Sequence, residues 1–233
     1  MATWRNEVNH KVPVLGIETS TRVVSAAITE NGVLRAQNVM SHARPRSGSL
    51  VQLIDFLLRS FQLAGENLEG IAVSVGPGSY TGLRIGLSVA KSLAFCWEKP
   101  LVAVNSLDAL AQKGRGQERL ICPLISFRQN EYYYAFYDWT GSGIERQSDY
   151  QVGNLKDVLE GLKHPVLLLG ELKSDDKELL QSGGADYCEH VYSEDFPEAH
   201  WIAASGEVLL GQGIVEDAGQ ITPFYMHEFP VQI

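Results

Sequence analysis

The stretch IAVSVGPGSYTGLRIGLSVAKSLAFCW, residues 71–97, constrains this chain more than any other. A short β-branched run (Ile71, Val73, Val75) stops at Gly76-Pro77-Gly78, and Ser79-Tyr80-Thr81 leads into a long helical segment. This pattern predicts a buried strand, a tight turn that needs glycine, and a helix opened by a hydroxyl cap. Free N–H groups at such a helix start can hold an anion, so Gly76, Pro77, Gly78 and Ser79 read either as a phosphate loop or as a structural elbow. Within the helix, Gly82, Gly86, Ala90 and Ala94 recur every fourth residue and line one small-residue stripe. Such a stripe admits a closely approaching backbone, supplied either by the chain's own sheet or by a helix of a partner.

Around this unit the elements can be read in order. Residues 12–19 and 23–30 predict strands joined by a turn at Ser20-Thr21-Arg22, and Asn31-Gly32 predicts a hairpin into a third strand ending near Met40. A loop carrying Arg44, Pro45 and Arg46 leads to a helix over 49–63, whose apolar face holds Leu50, Leu53, Ile54, Leu57, Leu58 and Phe61. Val51, Phe56 and Leu63 widen its arc beyond the roughly 100° that a one-sided surface helix needs, so it is expected to cover two neighbours. After residues 71–97 come a strand at 101–105 and a short helix from Ser106. The order then repeats: strands at 119–127, 131–140 and 144–152, a helix at 154–162, a strand at 165–170, a helix near 174–181, a strand at 186–192 and a last helix at 198–211. Three antiparallel strands followed by α-β-α-β units make a mixed sheet with helices on its faces. The expected architecture is α/β with two such lobes. The first spans 1–105 and is joined by the C-terminal helix and tail 198–233; the second spans 106–197.

Composition excludes several classes of protein. No apolar run reaches the roughly 18 residues a membrane span requires, and MATWRNEVNHK lacks the apolar core of a secretory signal. Cys96, Cys122 and Cys188 are widely spaced and read as buried free thiols of a cytoplasmic protein. The net charge of −9 is uneven: residues 1–105 carry 10 basic against 7 acidic side chains, and residues 106–233 carry 9 against 21. So acidic a chain is a poor binder of nucleic acid on its own. His10, His42, His164, His190, His200 and His227 form neither H-x-x-x-H nor H-E-x-x-H, so no metal site is expected. There is no G-x-S-x-G elbow and no Walker motif. The aromatic run Tyr132, Tyr133, Tyr134, Phe136, Tyr137 and Trp139 is read as a strand filling one face of the second lobe's core rather than as a base-stacking platform.

Two lobes of this order resemble the actin, Hsp70 and sugar-kinase (RNase H-like) superfamily. In that group the hairpin after the first strand contacts phosphates and carries an acidic residue. Here it reads Glu18-Thr19-Ser20-Thr21, which serves either that purpose or the shaping of a turn. More specifically, GPGSYTGLRIG, LGIETST and VNSLDALA resemble the TsaB family, the non-catalytic partner in threonylcarbamoyladenosine synthesis on tRNA, formerly labelled glycoprotease-like. The likeness is specific over residues 13–107. It departs at Ser126-Phe127-Arg128, where the family tends to Asp-Ala-Arg, and at Pro223-Phe224-Tyr225-Met226-His227, where it has Pro-x-Tyr-x-Arg.

The resemblance implies a scaffold without cofactor or catalytic residues. A catalytic relative, TsaD, holds a metal through an H-x-x-x-H helix, whereas here His42 is followed four residues later by Arg46. It implies a heterodimer with a TsaD-like subunit formed through the first lobe, an added TsaE-like ATPase, and a homodimer when alone. On this reading the partner interface comprises Leu50, Leu53, Ile54, Leu57, Gly82, Arg84, Gly86, Ala90 and Ala94. Glu18, Thr19, Ser20 and Gly76–Ser79 remain possible nucleotide loops, and tRNA is met only through the complex. A nucleotide-dependent ATPase or kinase of the same fold is the alternative, and a glycoprotein peptidase a third class.

Overall fold

The computed structural model describes residues 13–41, 47–160, 162, 165–181, 188–192 and 195–226. His10, His42, His164 and His227, the Arg44–Arg46 loop, and the side chains of Cys188 and His190 lie outside the described residues.

The first sheet is built from β1 (Val14–Glu18), β2 (Val23–Glu30), β3 (Val33–Ser41), β4 (Gly70–Gly76) and β5 (Leu101–Asn105), in the order β3-β2-β1-β4-β5. The hairpins β1–β2 and β2–β3 are antiparallel, whereas β4 runs parallel to β1 and β5 parallel to β4. β1 and β4 are buried on both faces and read as near-continuous apolar runs, as two-sided burial demands. On one face lie α1 (Ser47–Ser60) and α2 (Tyr80–Trp97). α1 stops three residues earlier than its apolar pattern predicts, with Gln62 in the left-handed conformation just beyond it. Its Leu50, Leu53, Ile54, Leu57 and Leu58 are buried in one core with Leu15, Ile17, Val24 and Ile71. Val51 and Phe56, expected to cover a second neighbour, point outward.

The opposite face is covered by α6 (Ala199–Gly211), the last helix. Its Ile202 and Ala203 pack with Val14, Ala72 and Val102. The approach is close: a methyl group on Gly16 would stand 2.7 Å from the Ala203 nitrogen, and one on Gly206 would collide with Ala72. The chain's final helix therefore closes the sheet that its first strand opens.

The second sheet runs β10 (Gln151–Gly153), β7 (Tyr132–Tyr134), β6 (Leu120–Ser126), β11 (Val166–Gly170), β12 (Cys188–Tyr192). β8 (Tyr137–Trp139) also pairs with β6, and β9 (Ile144–Arg146) with β8. The single strand expected at 131–140 is thus two short pieces broken at Ala135-Phe136, and the one expected at 144–152 is likewise divided. The aromatic run fills both faces of this sheet rather than one. Tyr133 and Tyr137 enter the core with α3 (Ser106–Ala111), while Tyr132 and Tyr134 pack toward α4 (Leu155–Leu159) and α5 (Ser174–Gln181). Alternation along a strand sends neighbours to opposite faces, and here helices cover both. Cys122 is buried as expected; Cys96 is exposed.

The lobes are tied by a network at the foot of α6. Lys113 reaches Asp195 (2.9 Å) and Glu198 (2.6 Å), and Glu198 also accepts from the Gln37 side-chain amide (2.8 Å). Burial pulls the Lys113 ammonium down, but its bonds to Glu198 and Asp195 outweigh this and hold it above its usual pKa.

Candidate functional site

Two places merit attention: the cleft between the lobes and the outer surface of α1 and α2. The cleft, of about 480 Å³, is bordered by the β1–β2 turn, the start of α2 and the turn after β6. Local chemistry explains the β1–β2 turn. The Glu18 carboxylate folds back to accept the N–H of Ser20, and the Thr19 N–H donates to Ser74 Oγ at 3.3 Å. Glu18 and Thr19 are fully buried, and Ser20 nearly so. Burial lifts the Glu18 carboxyl to about 7, against the opposing hydrogen bonds of Ser20 and Ser74. The acid that a phosphate-binding hairpin would present to a metal-bound phosphate is therefore turned beneath the turn.

Gly76–Ser79 is brought onto the same turn. Ser79 N–H donates to the Ser20 carbonyl at 2.6 Å, and Gly78 lies so close that a Cβ would stand 2.7 Å from that of Ser20. Gly76 adopts φ +114°, a conformation that favours glycine. Ser79 caps α2 by accepting from Gly82 N–H at 3.2 Å. The residues expected to form phosphate loops are thus assembled, and they contact one another. Across the cleft, Arg22 and Glu171 form a bidentate pair (2.8 and 2.9 Å), and the Arg22 guanidinium lies 5.1 Å over the Phe196 ring. The turn after β6 offers a ring, Phe127 packed on Tyr133 at 4.5 Å, where the family tends to a small residue.

The small stripe of α2 faces inward. A side chain on Gly82 would collide with the Thr19 carbonyl and one on Gly86 with Thr19 Oγ1, while Ala90 and Ala94 are buried in the first core. Leu50, Leu53, Ile54 and Leu57 are buried there too. Of the residues expected at a partner interface, these eight are enclosed by the chain itself. The close-approaching backbone is the β1–β2 turn, and only Arg84 is exposed. The opposite face of α2 presents Thr81, Arg84, Ser88, Ser92 and Phe95 in one row, with Phe95 84% exposed. On α1, Val51 and Phe56 are 46% and 64% exposed. The sequence carried this signal as the complement of the small stripe, at the same helical period. The C-terminal segment meets the row at its start: Tyr225 stacks on Tyr80 (5.2 Å between centroids), and its hydroxyl accepts from Arg84 Nε at 3.1 Å.

Fold and cleft together define a two-lobed α/β protein of the actin, Hsp70 and sugar-kinase type whose hairpin acid is withdrawn from the cleft. The family model described as TsaD: tRNA N6-adenosine threonylcarbamoyltransferase matches residues 40–186. The tRNA threonylcarbamoyladenosine biosynthesis protein TsaB of Bacillus subtilis is 33% identical over 171 residues, covering 72% of this chain and 75% of that protein. Its namesake from Haemophilus influenzae is 30% identical over 226 residues, 91% and 92% of the two chains. In fold, the chain matches a Pseudomonas aeruginosa protein described as similar to peptidase YEAZ, with a TM-score of 0.79 at 21% identity over 93% of this chain and 100% of that one. The chain belongs to the TsaB family.

Proposed function

We propose that this protein is a non-catalytic partner subunit in the synthesis of threonylcarbamoyladenosine on tRNA, pairing with a TsaD-like catalytic subunit. The carrying observation is the outward row of α2. A phenylalanine 84% exposed on the same line as two serines, with Phe56 of α1 also exposed, is apolar surface that the monomer leaves uncovered. Small residues in such a row let a second helix come close, and aromatic residues anchor interfaces. On this reading the first lobe, residues 1–105 with 198–233, provides the surface, and residues 106–197 form the second lobe. A homologous subunit of the same fold meets this row in pseudo-symmetric fashion. In its absence a second copy takes its place, giving a C₂ homodimer. A TsaE-like ATPase joins the pair, and tRNA is engaged only in the complex.

The test is co-purification of the chain with a TsaD-like subunit, comparing wild type with Ser88→Trp and Phe95→Asp. Both variants should keep the wild-type melting temperature and lose the partner. Normal pairing by both folded variants would overturn the assignment.

A further inference from the structure

A second cavity, of about 790 Å³, opens on the α6 side, outside the carboxyl ends of the parallel strands β4 and β5. Crevices at the carboxyl ends of parallel strands are where α/β folds hold small ligands, and the volume suits one. It too is lined from both lobes, but it shares no lining residue with the cleft at the β1–β2 turn.

Its chemistry is specific. Arg115 lies 5.4 Å from the centroid of Trp139 and 5.8 Å from that of Trp201, while Arg146 lies 4.0 Å over Tyr150. Neither arginine forms an ion pair among the described residues. That is notable in the half of the chain where acidic side chains outnumber basic ones by 21 to 9. The carboxylate at the cavity wall, Asp108, is held by two phenols: it accepts from Tyr137 at 2.7 Å and from Tyr150 at 2.9 and 3.0 Å. Its negative charge is thereby turned into the tyrosine pair, and the two guanidiniums keep their donors for another acceptor. The small residues Ala204 and Ser205 line it one turn from Trp201 on α6, and the ring of Phe224 lines it edge-on to Tyr150 at 5.5 Å.

We propose that this cavity binds a small anion carrying a flat unsaturated body, of the nucleoside monophosphate class, with the phosphate on Arg115 and Arg146 and the ring system between the aromatic walls. Both guanidiniums are exposed at the cavity mouth, each within cation–π distance of a ring, with their N–H groups open to phosphate oxygens. The flat body is then sandwiched where the rings and the small α6 residues leave a slot.

The experiment uses the full chain. Two of its four tryptophans, Trp139 and Trp201, border the arginine, so their fluorescence reports occupancy. Adenosine 5′-monophosphate, adenosine and inorganic phosphate are titrated separately. The monophosphate should give a saturable change, with the nucleoside and the free anion each binding about tenfold or more weakly. Arg115→Ala and Arg146→Ala should each weaken the monophosphate by about tenfold or more at unchanged melting temperature. Ser205→Trp, which fills the cavity from α6, should abolish binding. If an arginine variant fails to fold, Ser205→Trp decides the matter alone. The absence of saturable monophosphate binding at millimolar concentration would overturn the proposal. Binding that withstands these substitutions but is lost in Arg22→Ala would also overturn it, because the ligand would then sit in the cleft at the β1–β2 turn.

Discussion

Replacing Glu18 by glutamine should make the protein more stable at high pH, and the size of the gain follows from where the carboxyl sits. Glu18 is fully buried beneath the β1–β2 turn; one oxygen accepts from Ser20 N–H and the other has no partner. Burial raises its pKa from 4.5 to about 7. Between those values the folded protein retains a proton that the unfolded chain has released. The folded carboxyl therefore contributes its full stability below the unfolded pKa, and that contribution is lost as pH rises through 7. A difference of this size amounts to about 3 kcal/mol once both states are ionised. Glutamine keeps an acceptor for Ser20 and cannot ionise. Urea unfolding of wild type and Glu18→Gln in parallel, from about pH 5 to about pH 8.5, isolates this one group, since all others titrate alike in both proteins. The stability difference should grow in favour of glutamine by about 2 kcal/mol or more across the range. A difference that is flat, or that grows in favour of glutamate as pH rises, would show that the carboxyl is not held as a buried acid.

Ala90→Trp, on the buried side of α2, should lower the melting temperature through overpacking of about 1–3 kcal/mol or more, in contrast to the neutral Ser88→Trp; thermal unfolding of the pair separates the two faces. Lys113→Met should cost about 1–2 kcal/mol by stranding Asp195 and Glu198 at the lobe junction, read as a lower urea midpoint; an unchanged midpoint would mean the network contributes nothing. Titration into labelled tRNA at near-physiological salt should give no sub-micromolar binding by the chain alone, as its acidic second lobe repels phosphate; tight binding would contradict this.

Much of the fold was legible because its signals are local. The β-branched run into Gly76-Pro77-Gly78, the Asn31-Gly32 hairpin and the Ser79 cap each fix a backbone conformation within a few residues. The likeness to the TsaB family also extends beyond residues 13–107, since a relative aligns over 91% of the chain. What stayed hidden depends on contacts far apart in sequence. The small stripe of α2 announces close packing but not against what; the answer, Thr19, lies more than sixty residues upstream. Leu50 and Phe56 belong to the same apolar pattern, yet one is 1% exposed and the other 64%, because α1 packs on β2, β3 and α2 and leaves Phe56 outside that packing. Equally, Glu18 in a strand-ending position gives no sign of whether its carboxyl turns out to the cleft or under the turn. The carboxylate accepts from Ser20 N–H in a turn whose Thr19 N–H is held by Ser74 on a neighbouring strand.

The packing of α6 on the first sheet has a consequence for biosynthesis. The chain emerges amino end first, so β1 to β5 leave the ribosome long before residues 199–211 exist to cover them. Throughout that interval Val14, Ala72 and Val102 lack Ile202 and Ala203 of α6, with Ala109 of α3 their other cover, while the strands of the second sheet, contiguous in sequence from 120 to 192, are made. The order of synthesis is thus not the order of completion: the first lobe to be made is the last to close. A chain truncated before Ala199 would carry every strand of the first sheet and still lack one of its two faces.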